Sequence, residues 1–559
     1  MKKKVDPIKA EVVARFLLAT AEEMGATLQR TAFSPNIKER MDASTAIFDA
    51  KGEVIALAQR VPIHLGSMVG AVDEILKRYP PSEIQPGDMF VANDPYNGGG
   101  THLPDINVIA PVFVGKKIVA FVANIAHHAD VGGMVPGSEA AVCKSIYQEG
   151  IRIPPVHIMR GGKVNRSVLD VILLNSRTPD ERVGDLNAQF AANNVAMKSV
   201  LQLFKRYGVK ETQATIAAYL DFTEKRFRAA INRLPAGKYE AEDFLDGNVE
   251  GERCRIKLAL TISKGNKGRM KFDFTGSGKQ LENARNIPYR ALLATVYTVS
   301  KAMLDPEVPA NAGYYRTLDI HAPPGCVVGP VPPAAIGCRS ISASVLGDVI
   351  ANALSQALPE KALAASGPHH LFVFSGTDTR SGVYFVDYET MAGGMGARAN
   401  RDGVDGVRVH ASGSSNLPVE ALEHAYPFRV ERYALRDDSS GAGQYRGGAG
   451  CVRDYRVLAD DIVVSLSSER QNVAASGSAG GGDGATGQFI LNPGTPDERK
   501  LPAAAADVPL PRGSVLRIVT PGGAGFGEAK RRTISAVEQD VREQRISPDN
   551  ASRTYLEGV

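Results

Sequence analysis

The order of apolar and polar residues predicts both helices and strands along the chain. From Pro7 to Thr31 the apolar side chains recur at steps of three and four residues, which places them on one face of an α-helix. The same spacing predicts helices at 67–79, 166–175, 288–303 and 341–358, and one or two long helices between 180 and 219. Alternation at every second residue, or short apolar runs, predicts strands at 238–247, 255–265, 269–278, 369–376 and 382–389.

Two β-hairpins are predicted in the first quarter of the chain. In the first, the strands TAIFD and EVIALA flank a turn at 49–52. In the second, the runs 106–114 and 118–125 are rich in Val, Ile and Phe and flank the turn Gly115, Lys116 and Lys117. A short turn with glycine between two such runs is typical of a hairpin.

The second hairpin brings three chemically useful side chains together. If its strands pair antiparallel, Asp105 lies opposite His127, and directly opposed residues have Cβ atoms about 4.5 to 5.5 Å apart. His102 precedes Asp105 on an irregular entry loop, because Pro104 between them cannot donate to a strand ladder. A slip of one residue would put His128 in place of His127, and the hairpin by itself leaves both open.

This set of two histidines and an aspartate offers nitrogen and oxygen ligands without a thiolate. Such sets suit Zn, Mn or Fe, and a site of three or four ligands that leaves one position open can activate water. The alternative interpretation is that these residues are polar caps of two strands beside glycine turns. Two separate clusters brought together by one hairpin favour the metal site.

The mixture of helices and antiparallel strands predicts an α+β (mixed α/β) protein with several domains. At 559 residues the chain has room for about three or four domains of the usual size. Changes in the pattern of apolar and polar residues predict a metal-binding N-terminal domain at 1–236, which contains β-hairpins and helices. A mixed α/β middle domain at 237–425 and a β-rich C-terminal domain at 426–559, of sandwich or barrel type, follow.

Composition and missing motifs narrow the possible functions. The 65 basic and 61 acidic residues nearly balance, which argues against nucleic acid or a membrane surface as the main partner. No apolar run approaches the roughly 20 residues that a membrane helix needs. Five widely spaced cysteines without a CxxC pair predict a cytoplasmic location. Neither a GxxxxGKS/T phosphate loop nor a GxSxG elbow occurs, so the chain is not expected to be an ATPase by itself.

The chain resembles a known family through motifs that follow one another along nearly its whole length. These motifs are KERMDASTAIFD, NDPYNGGGTHLPD, HHADVGG with PGS, FDFTGSGKQLENARN, NAGYYR, GGMGAR, SSNLPVEALE, DDSSGAGQYRGGAG and TPGGAGFG. They are similar to the motifs of the hydantoinase B / 5-oxoprolinase family, which contains the B-type chains of ATP-dependent hydantoinases. That family is also similar to subunits of acetone and acetophenone carboxylases and of bacterial caprolactamase.

The resemblance implies a metal-bearing subunit that works with an actin-like, ATP-binding A-type subunit in a hetero-oligomer. The partner phosphorylates the carbonyl oxygen of a cyclic amide, such as a hydantoin, 5-oxoproline or another lactam, and metal-bound water then hydrolyses the activated substrate. Carried over motif by motif, the ligands are Asp42, His102, Asp105 and His127. The family thus selects His127 over His128 and adds Asp42, which alone looks like a solvated or capping residue. It implies one divalent ion, with zinc in first place and manganese or iron as alternatives.

Two carboxylates near these residues are candidates for proton transfer or for orienting a ligand. Asp130 in HHADVGG and Glu149 in the following loop are predicted in this role, because metal-bound histidines usually give their second N–H to a carboxylate or a carbonyl. Two alternative functions stay open. In one, the chain is a subunit of an ATP-dependent ketone carboxylase of the acetone or acetophenone type. In the other, it is a non-catalytic structural subunit of such a complex.

Overall fold

The chain folds into thirteen α-helices and twenty strands within the residues that the structure describes. A computed structural model describes residues 6–58, 60–249 and 251–556. The helices are α1 (Pro7–Thr31), α2 (Pro35–Lys38), α3 (Ile63–Met68), α4 (Ala71–Arg78), α5 (Arg166–Leu174), α6 (Pro179–Tyr207), α7 (Val209–Arg233), α8 (Tyr289–Leu304), α9 (Ala312–Tyr315), α10 (Arg339–Ser355), α11 (Val419–Ala425), α12 (Ile534–Arg542) and α13 (Pro548–Ala551).

The strands form four sheets, and the mixed α/β class predicted from the sequence is confirmed. They are β1 (Ala43–Asp49), β2 (Val54–Leu57), β3 (Met89–Ala92), β4 (Asp105–Val114), β5 (Lys117–His127), β6 (Val156–Arg160), β7 (Lys163–Val164), β8 (Gly237–Asp246), β9 (Arg253–Ser263), β10 (Arg269–Asp273), β11 (Leu318–His321), β12 (His370–Asp378), β13 (Val383–Met391), β14 (Phe428–Leu435), β15 (Cys451–Val457), β16 (Ile462–Ser467), β17 (Gln488–Leu491), β18 (Arg499–Leu501), β19 (Ala504–Leu510) and β20 (Val515–Val519).

The first helix has the predicted bounds because its sequence defines both its start and its buried face. Asp6 caps it by accepting a hydrogen bond from Ile8 N at 2.9 Å, and Pro7 supplies a helical φ at the first position. Its apolar stripe packs against α6, α7 and β1. The buried residues of this stripe are Val13, Ala14, Leu17, Ala21, Met24 and Leu28.

Two predicted helical stretches are divided at glycines with left-handed backbone. The stretch at 67–79 is α3 and α4, which meet at Gly70 with a φ of 77°. The stretch from 180 to 219 is α6 and α7, which meet at Gly208 with a φ of 78°. Glycine adopts this conformation without a Cβ clash. Because α3 begins at Ile63, earlier than predicted, it includes His64.

Both predicted hairpins lie side by side in a seven-stranded sheet of order β2-β1-β5-β4-β3-β6-β7. β1 pairs antiparallel with β5, with Ala43 opposite Ala126 and Phe48 opposite Phe121. Residues on both faces of β4 and β5 are buried over most of each strand. This explains why the two strands appear in the sequence as continuous apolar runs instead of an alternation.

A second sheet, of order β11-β10-β9-β8, packs against α10. It contains the three strands predicted between 238 and 278. Nearly every residue of α10 is buried, because small or apolar side chains occupy most positions around this helix. The first residue of α10 is Arg339, which is itself buried. The helix therefore begins in the interior of the protein.

The β-rich part contains two sheets, β13-β12-β16-β19 and β14-β15-β20-β17-β18. The ring centroid of Phe374 on β12 lies 4.5 Å from that of Phe428 on β14 and 5.2 Å from that of Tyr455 on β15. Aromatic side chains thus fill the space between the sheets, as in a sandwich. The two helices α12 and α13 that follow were not predicted.

The division into domains at 236/237 and 425/426 stays a prediction. Buried apolar residues form one large cluster that extends from Val13 to Leu363 and includes Ala411, and a second that extends from Phe372 to Ile518. Strand pairing crosses 425/426, because β12 pairs with β16.

Two further observations concern the cellular location of the protein. Among the described residues, no helix combines the length and the apolar character that crossing a bilayer requires. All five cysteines are buried free thiols. The cytoplasmic location stays a prediction.

Gly66 is expected to be required where α3 packs against α8. A Cβ at this position would lie 2.0 Å from the carbonyl oxygen of Arg290 and 2.7 Å from Cβ of Ala294. We expect Gly66→Ala to lower the free energy of unfolding by about 3 kcal/mol, since overpacking forces the backbone to shift. Urea denaturation measures the change. Gly25→Ala in α1 is the control, because its Cβ would approach no atom closer than 3.6 Å. Equal destabilisation by both substitutions would contradict the prediction.

Candidate metal centre

Six buried side chains meet at one end of the neighbouring strands β1, β5 and β4 of the seven-stranded sheet, and we call them the acid–histidine cluster. Each is at most 5% exposed, so bulk water is excluded. Two lie on loops that flank the paired strands, one lies on α3, and the others lie just before or at the ends of β1, β4 and β5. The cluster consists of Asp42, His64, His102, Asp105, His127 and Glu139.

Strand register explains how three of these residues come together. Asp105 pairs directly with His127, as predicted from the hairpin. The backbone N–H of His127 also donates to the carbonyl oxygen of Asp42 at 3.0 Å, because β1 lies next to β5. The two hairpins therefore contribute to one site.

The adjacent His128 is directed away from the cluster. Its Nε2 lies 3.0 Å from Oε1 of Gln189 on α6. Burial and, next, the charge of Arg182 together lower the pKa of His128 to about 4. Of the two histidines that the hairpin left open, His127 is the one in the cluster.

The side-chain atoms of the cluster are spaced as ligands of one ion would be. Nε2 of His102 lies 3.2 Å from Oδ1 of Asp105, and Nε2 of His64 lies 3.4 Å from the same oxygen. Nε2 of His64 also lies 3.5 Å from Oδ1 of Asp42. Ligand atoms about 2.1 Å from a tetrahedral ion lie roughly 3.4 Å from one another. The observed separations match this spacing.

Several of these atoms lack the hydrogen bonds that buried polar atoms normally make. Within the described residues, no hydrogen bond is made by Nε2 of His102, Nε2 of His127, Oδ1 of Asp105 or Oε2 of Glu139. Oε1 of Glu139, by contrast, contacts Nδ1 of His102. Ligand atoms of His102, His127 and Glu139 also lie within 4.8 Å of one another. A divalent cation would satisfy these atoms, so the residues present fit a metal.

Contacts to the other ring nitrogen orient each histidine. Nδ1 of His64 lies 3.1 Å from the hydroxyl of Ser44, and Nδ1 of His127 lies 2.9 Å from the amide nitrogen of Asn36. Nδ1 of His102 contacts Oε1 of Glu139 and lies 3.2 Å from the carbonyl oxygen of Gly337. Such contacts fix the plane of an imidazole and leave Nε2 for the metal.

The charges of the cluster depend on one another. Burial and Arg339 lower the pKa of His102, but Asp105 and Glu139 outweigh both and raise it to about 9. Burial raises the pKa of Asp105, yet His102, His64 and Arg339 hold it well below its usual range. Burial likewise raises the pKa of Glu139, and the two nearby histidines outweigh it and lower the value. The carboxylates therefore stay charged and require a positive counterpart.

Arg339 supplies part of that counterpart from the start of α10. Its Nη2 donates to Oδ2 of Asp105 at 2.8 Å, and its Nε donates to the hydroxyl of Thr101 at 3.0 Å. The same hydroxyl donates to Oδ2 of Asp105 at 3.1 Å. Because Oδ2 is held in this way, Oδ1 is the oxygen left to face the histidines.

Comparison with known proteins agrees with the motifs. Residues 6–529 match the family model described as hydantoinase B/oxoprolinase. The chain belongs to this family. A relative from a Pseudomonas species, described as the B-type chain of a putative D-/L-hydantoinase, is 32% identical to it, and the alignment covers 99% of this chain and 95% of that one.

Two solved structures resemble this member of the hydantoinase B/oxoprolinase family. A crystal structure of ATP-dependent caprolactamase from Pseudomonas jessenii has a TM-score of 0.88 at 28% identity, and the match covers 99% of this chain and 96% of that one. A nucleotide-free structure of acetone carboxylase has a TM-score of 0.91 at 19% identity, and the match covers 98% of this chain and 79% of that one. The second likeness shows a shared fold alone.

Asp130, predicted as a base or an orienter, holds the loop that follows β5. Its Oδ1 accepts from Gly137 N at 3.1 Å and from Nη1 of Arg177 at 2.9 Å. Its Oδ2 accepts from Gly132 N at 3.2 Å and from the backbone N–H of Arg177 at 2.8 Å. In the described part of the chain, no hydrogen bond joins this carboxylate to a histidine of the cluster. Its predicted role in this hydantoinase B/oxoprolinase chain stays a prediction.

The backbone of Gly337 lies between Glu149 and His102. Its Oε1 accepts from the N–H groups of Ile336 and Gly337, both at 2.7 Å, and the carbonyl of Gly337 is the group that faces His102. Burial raises the pKa of Glu149 to about 7, although the two N–H groups oppose the rise. A carboxyl group with this pKa suits proton transfer at neutral pH. These contacts support an orienting role through the backbone, and the role of base stays a prediction.

Sequence reasoning missed His64, Glu139 and Arg339 as functional candidates. A signal was present for Glu139, which directly follows the family motif PGS. Arg339 had no local signal, because it lies 234 positions from Asp105. His64 appeared as a lone histidine ahead of a helix, and only the packing of α3 against β1 brings it to Asp42.

The two neighbouring histidines provide a matched test of the register. We expect His127→Gln to remove most of the bound metal, because Nε2 of His127 faces the cluster. His128→Gln should keep the metal, since glutamine can still bond Gln189. Metal per chain is measured by inductively coupled plasma mass spectrometry on the purified proteins. Loss of metal in both variants, or in His128→Gln alone, would contradict the assignment.

Glu149 should make stability depend on pH. Its folded pKa of about 7 exceeds the ordinary value of 4.5, so the stability it contributes is complete below pH 4.5 and is lost as pH rises through 7. Glu149→Gln keeps the acceptor oxygen and cannot ionise. Relative to the wild type, we expect this variant to gain up to about 3 kcal/mol in free energy of unfolding between pH 5 and pH 8. Urea denaturation at both pH values checks it, and a pH-independent difference would refute it.

Proposed function

We propose that this chain is the metal-bearing subunit of an ATP-dependent cyclic amidase that opens a hydantoin, 5-oxoproline or another lactam ring. An actin-like, ATP-binding A-type subunit would deliver the substrate phosphorylated on its carbonyl oxygen. The acid–histidine cluster carries the proposal, because Nε2 of His102, Nε2 of His127 and Oδ1 of Asp105 lack hydrogen bonds within the described residues. Relatives named as a hydantoinase and a caprolactamase support the substrate class.

The proposed site holds one divalent ion, with zinc in first place and manganese or iron as alternatives. When bound, the ion supplies Lewis-acid chemistry that polarises a carbonyl-derived group and makes water a better nucleophile at neutral pH. His64 and Glu139 are further candidate ligands. Nε2 of His64 lies 3.5 Å from Oδ1 of Asp42, and Oε1 of Glu139 lies 3.6 Å from Nε2 of His127. The ligands implied by the family are Asp42, His102, Asp105 and His127.

Residues around the cluster have separate roles in this proposal. Arg339 keeps Oδ1 of Asp105 turned toward the centre by binding Oδ2. Tyr388 packs on the ring of His127, with centroids 4.3 Å apart, and covers it from water. Glu149 would take up and release a proton at Oε2, the oxygen that makes no hydrogen bond within the described residues.

Two alternative functions are a ketone carboxylase subunit and a structural subunit. A ketone carboxylase subunit is the second candidate, because acetone carboxylase shares the fold with a TM-score of 0.91. Fold does not determine the reaction, so this candidate rests on substrate assays. A purely structural subunit would leave the buried, unsatisfied ligand atoms without an explanation.

Metal analysis of the full chain tests the proposal directly. We expect about one metal ion per wild-type chain and a loss of most of it in Asp42→Ala and His102→Ala, because each removes a ligand. Asp49→Ala is the matched control, since Asp49 ends the same strand that Asp42 precedes and binds the turn N–H groups of Lys51 and Glu53. Wild-type chain without stoichiometric metal, or ligand variants with full metal, would refute the site.

Activity of the complex with its A-type partner separates the candidate reactions. We expect ATP hydrolysis to be stimulated by a lactam among hydantoin, 5-oxoproline and caprolactam, and to fall at least roughly 100-fold in Asp42→Ala, as expected when a catalytic metal is lost. Stimulation by acetone with bicarbonate, and by no lactam, would favour the carboxylase. Full activity of every ligand variant would favour the structural role.

A further inference from the structure

A second feature of the centre is a small cavity beside the acid–histidine cluster. Its volume is about 20 Å³, which is enough for a single water-sized group. On the side of the cluster it is lined by Asp42, His64 and His127, and the loop at 408–414 contributes Arg408, Ser412 and Ser414. A molecule in this cavity would contact both groups of residues.

The guanidinium of Arg408 is held in place entirely by uncharged acceptors. Its Nε donates to the hydroxyl of Ser412 at 2.7 Å, and its Nη1 donates to the hydroxyl of Thr390 at 2.6 Å. Nη1 also contacts the hydroxyl and the carbonyl oxygen of Ser414. Among the described residues, Nη2 has no hydrogen-bond acceptor. The side chain is therefore oriented while one of its nitrogens keeps its donors free.

Neighbouring arginines have the carboxylate partners that Arg408 lacks. Arg339 lies 2.8 Å from Asp105, and Arg40 and Arg453 lie 3.8 and 3.4 Å from Glu389. Within 4.0 Å of Arg408, the described part of the chain offers no carboxylate. Burial lowers the pKa of Arg408 to about 10, so the group is still charged at neutral pH. A partly buried charge of this kind normally has a partner.

We propose that Arg408 binds the phosphoryl group of the activated substrate and so sets its position at the metal centre. The inference rests on the proposed function. A guanidinium matches the oxygens of a phosphoryl or carboxylate group. The phosphoryl group is favoured, because in a phosphorylated lactam it is joined through one oxygen to the reacting carbon. A phosphoryl oxygen held in the cavity by Arg408 would therefore keep that carbon close to the cluster. Ser412 and Ser414 accept from Arg408 and can each donate their own O–H to the anion.

Binding of inorganic phosphate to the full chain tests this inference without any turnover. We compare the wild type with Arg408→Gln and Arg408→Lys by isothermal titration calorimetry, using acetate as the carboxylate probe. Arg398→Gln is the matched control, since Arg398 is also partly buried, has no carboxylate within 4.0 Å in the described residues and does not line the cavity. Metal content and melting temperature are measured for every variant.

Phosphate should bind the wild type and Arg398→Gln equally, and Arg408→Gln roughly tenfold or more weakly, as expected for losing charge-assisted hydrogen bonds. Arg408→Lys should fall between them, and metal content should not change. Unaltered phosphate binding in Arg408→Gln would overturn the inference. Loss of acetate binding without loss of phosphate binding would also overturn it and assign Arg408 to a carboxylate on the substrate.

Turnover by the complex separates this inference from the proposed function. We expect Arg408→Gln to raise KM for the lactam or to lower kcat while the metal stays bound. Equal kcat and KM in the wild type and Arg408→Gln would overturn the phosphoryl site alone. If the wild-type complex turned over no lactam, the proposed function would fail, and the phosphoryl site with it. A loss of phosphate binding in Arg408→Gln would then mark a general anion site.

Discussion

Antiparallel pairing of β5 with β1 on one side and with β4 on the other is the constraint on which the site depends. This pairing puts His127 opposite Asp105 and binds its backbone to Asp42. A slip of one residue would turn His127 to the other face and bring His128 forward. The register is held by buried apolar side chains along both strands, so the geometry of the polar site follows from the packing of the sheet.

The buried charges of the site form a second constraint. Asp105 and Glu139 keep their charge in an interior from which water is excluded because His102 and Arg339 lie beside them. Removal of one partner would leave the opposite charge buried and uncompensated, which costs more than the lost contact alone. Either a divalent cation or a protonated His102 can neutralise the negative charge of Asp105 and Glu139. Metal binding is therefore expected to release a proton.

Local pattern predicted much of this structure, and long-range contacts explain the rest. The bounds of α1, the two hairpins and the pairing of Asp105 with His127 follow from periodicity and turn residues within short stretches. Asp42 required the family resemblance, since its place beside β5 depends on which strands become neighbours. His64, Arg339 and Arg408 reach the centre through the packing of α3, α10 and the loop at 408–414. The breaks at Gly70 and Gly208 show that glycine can end a helix where the apolar pattern continues.

The cavity wall is built from three parts of the chain that are far apart in sequence. Residues between 42 and 127 contribute proposed ligands, the start of α10 contributes Arg339, and the stretch from 388 to 414 contributes Tyr388, Arg408 and Ser412. Exchange of residues at 408–414 would therefore reshape the cavity while leaving the proposed ligands intact. If the proposed function holds, substrate preference and ion binding are set by separate segments of the chain, so either can change without the other.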